Sequence, residues 1–215
     1  DQAVGAAGGA ATLTITAEEF PGTLSAPLYG TEANQGYILN FNADPGGINT
    51  PLIFEPTDEF AGGNVIMCAV SGVNPALWGG ANVWVSNQPN GTYTNVGKVA
   101  PARMGVTTAD FGVVPVNANG QTVDQTNTLQ VDLTESQGSL GSGTTIDAVT
   151  LADPCYVGGE IVTYATATLL AQYKYAINYL VRGAYGTETA IVDHPAGTMF
   201  ARLDNAVGSF PFNVS

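Results

Sequence analysis

The sequence predicts an all-β fold, mainly antiparallel, arranged as sandwich or barrel-like lobes with hairpins and little helix. Three observations predict it. Apolar and polar residues alternate with period two in several short runs, the spacing that puts one face of a strand toward a core. Turn signals rich in Gly, Asn and Pro separate those runs. Tyrosines recur at every second residue near the C-terminal third, where a helix would scatter them around its circumference.

The elements follow in order. The opening stretch is rich in small residues and reads as a lead-in, and Thr12 to Thr16 alternates as Thr-Leu-Thr-Ile-Thr. Tyr37 to Phe41 reads as a second strand, stopped by the turn Asp44-Pro45-Gly46-Gly47. Leu52 to Phe54 is a short extended piece before the acidic, loop-like Glu55 to Glu59. Val65 to Ser71 reads as a buried strand. Ala81 to Ser86 and Thr92 to Val99 flank the hairpin signal Gln88-Pro89-Asn90-Gly91. Val106, Phe111, Val113, Val114 and Val116 continue the β character, and Leu129 to Leu133 alternates again. Glu160 to Leu170 and Tyr173 to Val181 form the clearest pair, around a short turn at Ala171-Gln172, with Tyr173, Tyr175, Ile177 and Tyr179 expected on one face. The Ser/Gly-rich stretch Gly138 to Gly143 reads as a boundary between lobes. The expected division is a lead-in over 1–60, a lobe over 61–137 and a lobe over 144–215, with one composite domain as the alternative.

Composition narrows the function classes. Charged residues are 11% of the chain, against about 25% in an average soluble domain. Eighteen acidic residues face five basic ones, for a formal charge of −13. Lys98, Arg103, Lys174, Arg182 and Arg202 do not cluster, which argues against nucleic-acid binding through phosphates. The same balance opposes an anionic membrane surface, and no apolar run is long enough for a membrane-spanning helix. A surface of Thr, Asn, Ser and Gly suits contact with copies or neighbours, because few long side chains must be ordered there. Asp1 in place of Met, without a basic and then apolar lead, gives the expectation of a piece of a longer chain. Cys68 and Cys155, in apolar surroundings, read as buried thiols, with a disulfide as the alternative.

No residue set reads as catalytic. His194 is the sole histidine, and its neighbour Asp193 would point to the opposite face of a strand, so His194 reads as a surface or interface residue of a turn. Glu18, Glu19, Asp58 and Glu59 read as solvated acids rather than a glycosidase pair. Asp44 and Asp58, with Glu55 and Glu59, are the candidates for a calcium site, although no EF-hand spacing accompanies them. Otherwise no cofactor is expected. Trp84 and Tyr93, with Trp78, are candidates for a sugar-stacking platform.

Two stretches carry a family resemblance. The first is Trp78-Gly79-Gly80-Ala81 with Val83, Val85, Ser86 and the following Asn-Gly turn. The second is Gly158-Gly159-Glu160-Ile161, Leu180-Val181-Arg182-Gly183, Gly186-Thr187-Glu188, His194, Gly197, Phe200 and Leu203-Asp204. The ordered series over about residues 60 to 205 resembles the tail-tip and baseplate hub (host-specificity) proteins of siphophages and gene transfer agents. There the series lies downstream of a TIM-barrel-like domain. The resemblance implies a structural virion component at the tail tip, assembled in the host cytoplasm. It also implies contacts with other tip subunits, a tail fibre or a host receptor, and a homo-oligomer. Ala184 and Tyr185 stand where that family carries basic residues. The motif glycines read as tight turns or close backbone approaches, and Arg182 and Glu188 as a pair locking the loop between them. The alternative class is a carbohydrate-binding β module recognising host-surface glycans through Trp84 and Tyr93.

Overall fold

Every strand pairing among the described residues is antiparallel. The computed structural model describes residues 44–86, 88, 91–117 and 122–212. The strands expected at Thr12 to Thr16 and Tyr37 to Phe41, the acids Glu18 and Glu19, and Asn90 of the hairpin turn lie outside those residues. The chain is all-β, with the short helices Asp58–Ala61 and Thr145–Val149 as the α-helical elements described.

Two sheet systems carry the body. In the smaller one, β1 (Leu52–Phe54) and β12 (Gly208–Pro211) flank β2 (Val65–Ala69), and β3 (Ala81–Val85) forms a hairpin with β4 (Thr94–Val99). Cys68 and Val70 from the β2 side meet Trp78 and Val99 in one apolar cluster. The larger system is a closed barrel. Its ring runs β10 (Lys174–Arg182), β7 (Leu129–Asp132), β5 (Met104–Thr107), β11 (Met199–Arg202), β8 (Cys155–Val157), β9 (Glu160–Ala171) and back to β10. The short strand β6 (Thr122–Asp124) adds to β10 outside the ring. Closure pairs every strand of the ring on both sides, which removes most of the unpaired edge an open sheet would present.

Period two explains the inner face. Leu129 and Val131 of β7 point into the barrel with Leu133, Val157, Val162, Tyr164, Tyr175, Ile177, Leu180 and Phe200. Residues 160–165 of β9 are buried on both faces, because a second layer covers the outside of that strand. Ala148 of the helix Thr145–Val149 packs with Ala165 and Val181, and the Thr163 hydroxyl donates to the Ala148 carbonyl at 2.7 Å. That helix starts with a reciprocal cap between Thr144 and Asp147, a pattern that satisfies two amides left open by the first turn.

Four expectations are corrected. The Gly138–Gly143 stretch does not divide the sheets. β5, β6 and β7 precede it, β8 to β11 follow it, and all belong to the one barrel system. It runs instead along the outer edge of β9, where the Gly143 amide donates to the Ala165 carbonyl and the Ala167 amide to the Ser142 hydroxyl. The acidic stretch before Glu59 passes into the helix Asp58–Ala61. The alternation Tyr175, Ile177, Tyr179 also breaks. Tyr179 adopts φ +54° and packs with the outer cluster, whereas Leu180 returns to the inner one. The pleat therefore changes phase by one residue, and Arg182 rather than Val181 is delivered to the interior. The β9–β10 turn lies at Gln172-Tyr173, one residue later than expected.

Cys68 and Cys155 are both buried free thiols. Burial pushes both thiols up from their ordinary value, Cys155 the further.

The β5–β7 contact sets a steric test. A Cβ at Gly105 would lie 1.9 Å from the Asp132 carbonyl oxygen, whereas one at Gly141 would meet nothing within 4 Å. Gly105→Ala is expected to destabilise the protein by about 3 kcal/mol or more, and Gly141→Ala to stay within about 0.5 kcal/mol. Parallel denaturant melts read the difference; equal midpoints would contradict the barrel closure at β5.

Candidate functional site

Glu160, Arg182, Gly183 and His194 of the second stretch converge on a charge cluster at one end of the barrel. The sequence builds it from a turn. Val157 pairs with Glu160 across a two-residue hairpin whose corners, Gly158 and Gly159, have φ +54° and +102°. Two consecutive positive φ values are the geometry of a tight hairpin that glycine adopts at low cost. The turn places Glu160 as the first residue of β9. The missing Cβ of Gly158 also makes room for His194, whose Nδ1 lies 2.8 Å from where that atom would sit.

Arg182, at the end of β10, meets Glu160 as a two-pronged pair. Its Nε donates to Glu160 Oε1 at 2.6 Å and its Nη2 to Oε2 at 2.8 Å. The Nη1 group donates to the Gly112 carbonyl at 2.9 Å and to Asp124 Oδ2 at 3.2 Å. The guanidinium carbon lies 3.7 Å from the centre of the Phe111 ring, in reach of a cation–π attraction. Glu160 also accepts from the Gly183 amide at 3.0 Å and lies 3.0 Å from His194 Nε2. A carboxylate oxygen accepts, so the contact is a hydrogen bond in the tautomer that carries its proton on Nε2. The side chains of Arg182, Glu160 and Asp124 are fully buried, and His194 is 3% exposed. A main-chain bridge between Phe111 and His194 holds their segments together over the cluster.

Two expectations change here. The partner of Arg182 is Glu160, together with Asp124, and not Glu188. Glu188 opens a 3-10 turn after Gly186 and Thr187, and the Thr187 hydroxyl accepts from the Ile161 amide at 2.9 Å. His194 is not a surface residue: the bridge to Phe111 turns its ring inward, onto the carboxylate. Asp124, Phe111 and Gly112 belong to the site without having been singled out. Asp124-Gln125-Thr126-Asn127 was a legible turn, because Asp side chains cap the amides that follow them. Burial pushes the Asp124 carboxyl up, but hydrogen bonds from the backbone and side chains of Asn127 and Thr126 outweigh it and hold the group below its ordinary value.

The other candidate residues lie apart from the cluster. Trp78 is buried, ahead of Gly79 and Gly80, which lead into β3. Trp84 is 56% exposed and lines a groove of about 720 Å³ between the β3–β4 hairpin and the β1–β2–β12 sheet. Ile53, Ile66, Val83, Val96 and Phe210 line it as well, and none of the described lining residues is charged. Tyr93 is exposed and is not among the residues that line that groove. Asp44 is exposed and caps the Gly46 amide at 2.9 Å, while Asp58, Glu59 and Glu55 are exposed near the helix Asp58–Ala61. Among the described residues no three of His, Cys, Asp and Glu gather as a metal-holding group.

Two predictions follow from the cluster. Arg182→Ala leaves Glu160 and Asp124 buried without their cation and is expected to cost about 3–5 kcal/mol. Glu160→Gln added to Arg182→Ala should cost less than the sum of the two single changes; additive melting shifts would break the coupling. The second concerns acid. Asp124, Asp132 and Asp147 are all held below the ordinary carboxylate value. A folded-state value below the unfolded one stabilises fully above about pH 4, and that stability is lost as pH falls through the folded value. The melting temperature is therefore expected to drop as pH falls below about 4, and to drop less steeply in Asp124→Asn.

The barrel and its cluster coincide with a recognised family segment. Residues 102–201 match the model of a family described as Rcc01698-like, C-terminal, a span that runs from just before β5 into β11. No curated protein matches the chain.

Proposed function

We propose that the chain is a non-enzymatic structural module of a phage-like tail tip or baseplate, working in the virion through protein–protein contacts in assembly and host attachment. One observation carries the reading. The Gly158-Gly159-Glu160, Arg182-Gly183, Thr187 and His194 motifs, on which the resemblance to tail-tip proteins rests, serve a single packing purpose. They seal a barrel end with a buried charge cluster. Motifs spent on holding a barrel together suit a scaffold. The sole histidine supports the same reading, since its Nε2 is engaged with Glu160 at 3% exposure, out of reach of a substrate. Charge-poor surface with exposed Ile53, Trp84, Val96, Leu169 and Leu170 suits contact with neighbouring subunits.

The test is location. Gold-labelled antibody against this chain, applied to intact particles of the source, is expected to mark one end of the tail, and the chain to co-purify with tail subunits. Label on the head alone, or a clear band of peptidoglycan hydrolysis by the purified chain, would remove the reading.

A further inference from the structure

We infer that copies of this chain associate head to tail, with the tip of the β9–β10 hairpin of one copy seated in the groove beside Trp84 of the next. The tip supplies the convex partner. Leu169 and Leu170 are consecutive and are 60% and 58% exposed. Neighbours in a regular strand point to opposite faces, so a tip with both exposed stands clear of the barrel wall. The register is irregular at this point, Tyr175 pairing with Leu169 and Lys174 with Ala171, which leaves Leu170 as the extra residue. No charged residue occurs from Thr166 to Tyr173. Lys174, the next residue, is paired with Asp132 at 2.9 Å.

The groove supplies the concave partner. Its exposed apolar side chains are Ile53, Trp84 and Val96, and its floor includes Cys68 and Phe210. Net charge selects the pairing. Two copies at −13 each repel over most of their surfaces. Contact costs least where both faces carry no charge, and the hairpin tip and the described lining of the groove are two such faces. A projection and a recess on different parts of one chain make a heterologous contact, which closes into a ring or extends as a filament according to the rotation it imposes.

This names a partner for the assembly role proposed above and rests on that reading only in taking the partner to be protein. A chain that labels tails yet sediments as a monomer keeps that reading and removes this contact.

The experiment is sedimentation velocity of the full chain over a concentration series, at low and at high salt. Concentration-dependent association is expected, stronger at high salt because screening weakens the repulsion between copies. Leu169→Asp with Leu170→Asp, and separately Ile53→Asp with Val96→Asp, should each weaken self-association by about tenfold or more. Serine at the same tip positions serves where aspartate disturbs the hairpin. Mixing the tip variant with the groove variant should restore a heterodimer and nothing larger, since each retains one intact face. A monomeric wild type, a tip variant that associates like wild type, or a mixture that fails to pair would each overturn the contact. So would glycan-array binding lost in Trp84→Ala from a chain that does not self-associate.

Discussion

The Glu160–Arg182 pair is the constraint on which the barrel end depends. Moving either ion out of water costs several kcal/mol, and their attraction repays this only when every donor and acceptor is met. Here the guanidinium makes four hydrogen bonds and the carboxylate is held by Arg182, Gly183 and His194. Those groups come from the start of β9, the end of β10, the end of β6 and the two segments bridged at Phe111 and His194. A register slip of one residue in any of them would strand a buried charge. The pair therefore acts more on which arrangement forms than on how much stability the arrangement has.

Much of this was legible in the sequence, for identifiable reasons. Leu129 to Leu133 announced itself by alternation because one side of the strand faces the barrel interior, and Val65 to Ser71 as a continuous apolar run because the strand is covered on both sides. Trp84 alternates with two valines that face the other way, yet core or interface packing was the favoured reading for its ring, which is 56% exposed. What stayed hidden depends on backbone states that no alternation encodes. Tyr179 sits in a left-handed conformation that shifts the pleat, so the continued run of tyrosines pointed to the wrong face beyond it. The inward turn of His194 comes from a bridge to a segment more than eighty residues earlier, and a lone histidine beside Pro195 gives no local sign of that. Arg182 was expected to bond the acid nearest in sequence. Strand pairing supplied a nearer one in space. β8, β11 and β12 are short enough that their two-residue periods are lost among glycines and prolines, and the helix after Gly143 was signalled only by Thr144 and Asp147.

The division of labour within the body is also informative. The span matched by the family model holds the barrel strands, the cluster and the β9–β10 tip. The groove is made by residues on either side of that span, from Ile53 to Val96 and from Phe210 to Phe212. One part of the chain thus carries the rigid frame and the projection, and the flanking parts carry the recess. Substituting the flanks could alter what is bound without disturbing the ionic frame, because the frame is satisfied internally.

The pairing of β12 with β2 has a kinetic meaning. Cys68 lies opposite Gly208 in that ladder, so nearly the whole described chain must be made before the two strands meet. Closing so long a loop is entropically uphill until the contacts form, whereas β8, β9 and β10 follow one another through tight turns. On that physics the meander around Gly158-Gly159 is the early structure, and the three-stranded sheet is the last to be completed. Until then the side of β2 that carries Cys68 and Val70 lacks the Phe210 ring that packs against it.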